Sequence, residues 1–428
     1  MMRFYEIPKL KSAQLRDDDF VVLSVDVGNT TIKSCVTATR FSDARMYMVR
    51  KDVSYTRYVD GGDDFETVLG RGLSVEGLKK EIKRSATRAT FDIGKERVDL
   101  AVTCSGLTAS FHDREKLDRF LQILPRAIDE EGYRIIGQVQ SDQNREELNR
   151  YRYRVGKDGI FGGIGSRYPT GNYMEGLLAS LGIKSVMGEA GFAKFRGGAF
   201  IDMGTTLSGV VLDKEPVNPA KVNVVYVGLA GGIFDVISQG FFKEEVSALD
   251  HGADPESVKG WVEDVMGYID VKVVKGESWG RVPVFQDQRE DEIIVGCDVG
   301  KDGSDLERLY ELGEELRNEM NVNELYGLFD EVASEIVTEL VRIPYEEGLL
   351  ETDSFVGVTG RAGITGDKPH IISEKLDREN LGEDYLFVED GLPLGANTMA
   401  RCYHELCSYC FSNFVPFSGP ACLERRRK

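Results

Sequence analysis

The sequence predicts an α/β fold made of two similar domains. Two observations carry this. An apolar strand, a tight glycine turn and a second apolar strand occur around Asp26, and the arrangement recurs around Asp202, an offset of 202 − 26 = 176 residues. Between and after the copies, apolar runs of strand length alternate with segments of helical spacing, which suits mixed sheets flanked by helices. The 428 residues are enough for two or three domains.

The first copy runs from Val21 to Lys33. Its apolar run delivers Asp26 to a strand end, and Gly28 permits a turn that a Cβ would resist. Asn29, Thr30 and Thr31 add short polar side chains and backbone N–H groups. Such a turn is a concave donor cluster suited to phosphate, and a carboxylate beside it suits a hydrated Mg²⁺. A single copy is equally ordinary hairpin chemistry. The second copy, Gly198 to Asp213, again brings up an Asp (Asp202) and then Gly204, Thr205 and Thr206. Two such hairpins suit a clamp on one polyphosphate, with Asp26 and Asp202 as the metal carboxylates.

The other elements follow in order. Residues 1–19 read as a polar lead-in, and Arg45 to Val59 alternates as a third strand. Ser74 is placed to cap a helix containing Leu78 and Ile82, whose basic run Lys79, Lys80, Lys83 and Arg84 makes a solvated face. Val98 to Gly106 is a buried strand, and Leu117, Phe120, Leu124 and Ile128 are spaced for a helix. A Gly-rich loop, Gly159 to Gly165, leads to a helix from Asn172 that the spacing ends at Gly182. A third Asp-Val-Gly, at Asp298 to Gly300, lacks the threonines. The Ser304-x-x-Glu307 after it reads as a capping box for a helix over about 305–320. Asn323 to Val341 carries an apolar stripe at Leu325, Leu328, Phe329, Val332, Ile336 and Leu340. Ser354 to Gly363 is a strand and glycine turn, and a last helix starts near Gly395.

Composition narrows the function. A formal net charge of −19, from 72 acidic and 53 basic residues, disfavours nucleic-acid binding. No apolar run is long enough for a membrane span, and the N-terminus lacks a signal-peptide core, so a soluble cytoplasmic protein is expected. An odd count of 7 Cys argues against a disulfide framework. The spacing of Cys402, Cys407, Cys410 and Cys422 is compatible with an iron–sulfur cluster. The helical reading of the same segment favours buried structural cysteines instead. The four His show no ligand spacing, and no Walker-type phosphate loop is present.

These motifs, in this order, resemble the actin-like ATPase superfamily of sugar kinases, heat-shock chaperones and actin. Asp26 to Lys33 and Asp202 to Val211 resemble its two phosphate motifs. Asn172 to Leu181 and Gly395 to Ala400 resemble its two connecting helices. Gly228 to Asp235 resembles its Leu-x-Gly segment, with Gly231 and Gly232 letting backbone approach the nucleotide. Val356 to Gly363 resembles the adenosine motif, with Gly360-Arg361 in place of Gly-Gly. Within the superfamily the first motif resembles activators and reactivases of radical and corrinoid enzymes. The chain as a whole resembles the methanogenesis marker protein 14 family of methane-producing archaea, through Phe4 to Ser12 and Gly296 to Asp305 as well.

The resemblance implies ATP and Mg²⁺ as ligands and duplicated ribonuclease H-like domains. One domain is expected over 1–185 plus 393–428, the other over 195–392 with an insertion at about 241–322. Gly28, Asn29, Thr30, Thr31, Gly204, Thr205 and Thr206 would cradle phosphates, with Lys33 either adding charge or solvated. Glu175 is the candidate for orienting the attacking water; a surface helix position is its alternative. The expected action is ATP hydrolysis whose domain closure drives a partner enzyme of methanogenesis. A small-molecule kinase and a non-catalytic nucleotide sensor are the competing readings.

Overall fold

A computed structural model of the chain describes residues 1–43, 45–133, 173–192, 197–212, 222–243, 258–274, 281, 284, 293–300 and 305–406. The Gly-rich loop at Gly159–Gly165 and the tail cysteines Cys407, Cys410 and Cys422 lie outside these residues. The chain divides into two compact units. One holds Glu6–Gly188 and the chain from Asp390; the other holds Met1–Tyr5, Glu189–Pro216 and Val222–Glu389. The first strand, β1 (Met2–Tyr5), therefore belongs to the second unit.

In the first unit β2 (Phe20–Val27), β3 (Thr31–Arg40) and β4 (Arg45–Tyr55) form an antiparallel meander. All eight residues of β2 are buried, as its run of valines requires of a central strand. A short hairpin follows, β5 (Phe65–Glu66) and β6 (Gly72–Leu73). Helix α1 (Val75–Thr90) starts where Ser74 Oγ accepts the Gly77 N–H at 3.1 Å, and it buries Leu78, Ile82, Ala86 and Ala89. β7 (Leu100–Cys104) lies parallel to β2, giving the order β4-β3-β2-β7. Helix α2 (Arg114–Asp129), capped by Asp113, buries Leu117, Phe120, Leu124 and Ile128.

Helix α3 (Tyr173–Val186) does not stop at Gly182 but runs four residues past it. The reason is tertiary. A Cβ on Gly182 would collide with the Gly391 carbonyl, and one on Gly395 with the Leu178 carbonyl. Two bare glycine faces thus let α3 and the helix Gly391–Leu406 approach backbone to backbone. That packing outweighs the roughly 1 kcal/mol penalty of an interior helical glycine. The pair buries Leu178, Ala179 and Leu181 against Leu392, Ala396, Met399 and Ala400, on Val22, Leu100 and Val102 of the sheet.

In the second unit β8 (Gly198–Met203), β9 (Thr206–Leu212) and β10 (Val222–Leu229) form another antiparallel meander. Then come α4 (Gly231–Phe242), α5 (Lys259–Met266), β11 (Ile269–Val274), β12 (Ile293–Val299) and α6 (Leu306–Glu319). Next are α7 (Val322–Glu346), β13 (Phe355–Thr359), α8 (Arg361–Ile364), α9 (Lys368–Glu379) and β14 (Asp384–Val388). The helix Gly391–Leu406, α10, returns to the first unit. The sheet order is β1-β14-β13-β8-β9-β10-β12-β11.

Its stretch β10-β9-β8-β13 repeats the first unit's β4-β3-β2-β7. In each, a three-strand meander has its first strand flanked by a later parallel strand. This is the duplicated α/β arrangement of the actin-like ATPase fold. Strands β11 and β12 extend the second sheet from within the region expected as an insertion. The reading of residues 1–19 as a lead-in missed β1, which pairs with β14 through backbone bonds that a polar sequence does not advertise. The apolar stripe of α7 is buried as its spacing requires, behind a capping box of Asn321 and Glu324. Helix α6 follows Asp305; Ser304, expected as its cap, lies outside the described residues.

Candidate functional site

In the first unit the fully buried β2 carries Asp26 to the edge of the turn, where the residue is 6% exposed. Its Oδ1 has no hydrogen-bond partner among the described residues. The antiparallel register places Lys33 opposite it, Nζ 3.9 Å from Oδ2, and the parallel register places Cys104 on its other side. Burial pushes the Asp26 carboxyl up, against the pull of the Lys33 ammonium and of a hydrogen bond from the Cys104 thiol. A buried carboxylate with one oxygen unsatisfied is costly unless something meets it.

The turn is tied in from several sides. Gly28 N–H donates to Thr31 O at 2.8 Å. Thr56 donates through its N–H to Thr30 O at 3.0 Å and through its hydroxyl to Asn29 O at 2.7 Å. Asn29 Nδ2 donates to Gly106 O at 3.0 Å, and Asn29 Oδ1 accepts the Val68 N–H at 2.9 Å. The Asn29 side chain therefore braces the turn against two neighbouring loops. Thr30 and Thr31 beside it are partly exposed.

In the second unit β8 brings Asp202, 4% exposed, to the equivalent strand end. Ser208 faces it across the hairpin with Oγ 3.5 Å from Oδ2, and Thr359 stands on its parallel side. This turn is one residue tighter than the first. Gly204 N–H donates to Thr206 O at 3.1 Å, so only Thr205 lies at the tip where the first turn has Asn29 and Thr30. By the hydrogen bond that closes each turn, Thr206 matches Thr31.

Gly231 and Gly232 open α4 directly on this turn. Gly231 N–H donates to Gly204 O at 2.8 Å and Gly232 N–H to Thr205 O at 2.9 Å. The close approach that these glycines permit is thus to the second turn. Gly360 closes the other side at φ +83°, and a Cβ there would lie 2.5 Å from both Asp202 Oδ1 and the Met203 carbonyl. Arg361 follows as the first residue of α8. Asp202, Gly204, Thr205, Thr206, Gly231, Gly232, Gly360 and Arg361 are therefore one cluster in this unit. Asp26, Gly28, Asn29, Thr30, Thr31 and Lys33 are one in the other.

Glu175 lies in the first turn of α3 and is 6% exposed, so the surface alternative does not hold for it. Cys104 and Thr359, each beside a strand-end Asp, were not singled out from sequence. The available signal was their place at the end of an apolar run just before Gly106 and Gly360. Among the described residues no three His, Cys, Asp or Glu side chains group as a metal cage. A hydrated Mg²⁺ needs no such cage, since it is held through one or two carboxylates and keeps its waters. The Asp26 oxygen without a partner fits that mode. Cys402 falls within α10, while the other three tail cysteines lie outside the described residues. Also among the described residues, no helix is long and apolar enough to cross a membrane.

The fold is the α/β fold of actin-like ATPases, with a buried Asp at a strand end in each unit. The chain belongs to the archaeal family described as "Uncharacterized protein conserved in archaea (DUF2114)", whose model matches residues 19–419. It is 36% identical over 425 residues to "Uncharacterized protein MJ1451" of Methanocaldococcus jannaschii, spanning 91% of this chain and 87% of that one. A relative from Methanothermobacter thermautotrophicus is 31% identical over 442 residues, spanning 96% and 83%. Solved structures give looser likenesses. The ethanolamine utilization protein EutJ from Carboxydothermus hydrogenoformans has a TM-score of 0.40 at 11% identity, covering 90% of each chain. A ROK family glucokinase from Streptomyces griseus has 0.41 at 11%, covering 89% and 99%. A reductive activator for corrinoid, iron–sulfur protein has 0.40 at 14%, covering 97% and 63%.

Proposed function

We propose that this protein binds ATP with Mg²⁺ and hydrolyses it, and that its nucleotide state acts on a partner enzyme tied to methane formation. The observation that carries the reading is the buried Asp26 oxygen without a partner beside a glycine–threonine turn, in a unit whose sheet order and strand-end Asp recur in the other unit. Asp26 and Asp202 are the carboxylates that would take Mg²⁺. The ion would supply charge neutralisation at the phosphates, which phosphoryl transfer needs more than covalent chemistry. Thr30, Thr31, Thr205 and Thr206 would meet phosphate oxygens. Lys33, a quarter exposed beside Asp26, would add positive charge there. Glu175 would orient the attacking water. The source of both relatives in methane-forming archaea supports the link to that metabolism, as does the resemblance to the marker protein 14 family.

The test is Mg²⁺-dependent ATP binding and turnover by the wild type, Asp26→Ala and Asp202→Ala. Loss of at least about tenfold in affinity is expected in both variants, in line with removal of a metal-orienting carboxylate. Unchanged Mg²⁺-dependent binding in both would sink the reading. Binding without turnover would leave a nucleotide sensor. A pull-down from a methanogen extract, with and without ATP, would identify the partner.

A further inference from the structure

We propose that Cys104 is the positioning residue of the Asp26 carboxylate. The inference rests on Asp26 serving Mg²⁺-nucleotide binding, and it adds a residue that no phosphate motif contains. Three observations meet at this point. Cys104 ends β7, and the parallel register sets it beside Asp26. Its thiol hydrogen-bonds the carboxyl. Asp26 is more than nine-tenths buried, yet its Oδ1 has no partner among the described residues while Lys33 approaches Oδ2.

A carboxylate held by two neighbours on adjacent strands cannot rotate to share its oxygens. It presents one oxygen in a fixed direction. For a ligand bound through the metal's water shell, that direction decides affinity, and partners of a metal-orienting carboxylate commonly matter about 10–100-fold. Cys104 is itself 7% exposed and packs with Val22, Leu100 and Val102, so its thiol is fixed by the core. The second unit places Thr359 at the matching position beside Asp202. There the hydroxyl donates to Val388 O at 2.8 Å.

The experiment is a cycle on the full chain. Mn²⁺ affinity, read by electron paramagnetic resonance at saturating ATP, is measured for the wild type, Cys104→Ser, Cys104→Val, Asp26→Asn and the Asp26→Asn/Cys104→Val double variant. Thermal melts accompany each. Cys104→Val is expected to weaken Mn²⁺ binding about tenfold, with Cys104→Ser within about twofold of the wild type because it restores a donor. In the Asp26→Asn background the valine is expected to have no further effect. Equal losses in Ser and Val, or a valine effect that persists without the Asp26 carboxylate, would overturn the positioning role and leave the nucleotide reading intact. Absence of Mn²⁺-ATP binding in the well-folded wild type would overturn both.

Discussion

Lys33 faces Asp26 across the first hairpin with Nζ 3.9 Å from Oδ2, whereas Ser208 holds the matching place opposite Asp202. The two carboxylates are alike in sequence and unlike in surroundings. Asp26 has a cation beside it; Asp202 has a hydroxyl. Lys33→Met should weaken Mg²⁺-ATP binding about fivefold, the equivalent of about 1 kcal/mol for a partly exposed charge pair. Ser208→Ala should change it less than about twofold, since a 3.5 Å hydroxyl contact is a weak hydrogen bond. Calorimetric titration of the two variants checks the asymmetry, and equal effects would contradict it.

Gly360 is held where only glycine fits. Its φ of +83° with ψ 140° lies in a region that side-chain-bearing residues avoid at a cost of about 1–3 kcal/mol. A Cβ would also press on Asp202 Oδ1. Gly360→Ala should therefore lower the unfolding free energy by at least about 2 kcal/mol and push Asp202 from its place. A denaturant melt together with an ATP titration reads both effects. A variant as stable as the wild type would show that the strand–helix junction yields without cost.

Much of the fold was legible because periodicity follows burial. The valines of β2 and the stripe of α7 are apolar for the same reason that they are central, and Ser74 caps α1 as a serine in that position should. What the sequence hid depends on partners far along the chain. Gly182 reads as a stop until Gly391 and Gly395 are packed on it, and β1 reads as a lead-in until β14 pairs with it. The two strand-end Asp were legible through their repetition. Cys104 was not, because its role comes from a strand register that brings residues 26 and 104 side by side. The bracing role of the Asn29 side chain was not legible either, because its bonds run to Val68 and Gly106, distant in sequence.

The glycine contact between α3 and α10 should be sensitive to a single methyl group. A Cβ at position 395 would meet the Leu178 carbonyl, which belongs to a helix backbone and cannot swing aside. Gly395→Ala should destabilise the protein by about 2 kcal/mol or more, despite the gain in helix propensity of about 1 kcal/mol. Gly348→Ala, at φ +73° with nothing nearby, gives the cost of strain alone for comparison. Urea midpoints for the two variants separate backbone collision from conformational strain.

Asp298 lies near the end of β12 with no solvent exposure, accepting the Arg281 N–H at 2.6 Å and the Val299 N–H at 2.7 Å. Burial raises its carboxyl from 3.8 to about 6, against the pull of those two donors. The native state then keeps a proton that the unfolded chain has already released between these values. The extra stability is fully present below about 3.8 and is lost as pH rises through about 6. A rise of this size in a carboxyl corresponds to about 3 kcal/mol of stability. Asp298→Asn cannot ionise, so its stability lacks this dependence, apart from a constant offset for exchanging one acceptor oxygen for an amide. The wild-type minus variant difference in unfolding free energy should fall by about 2 kcal/mol between about pH 4 and pH 6.5. Chemical denaturation at matched ionic strength measures it. A flat difference across the window would mean that Asp298 is charged throughout, held by its two backbone donors.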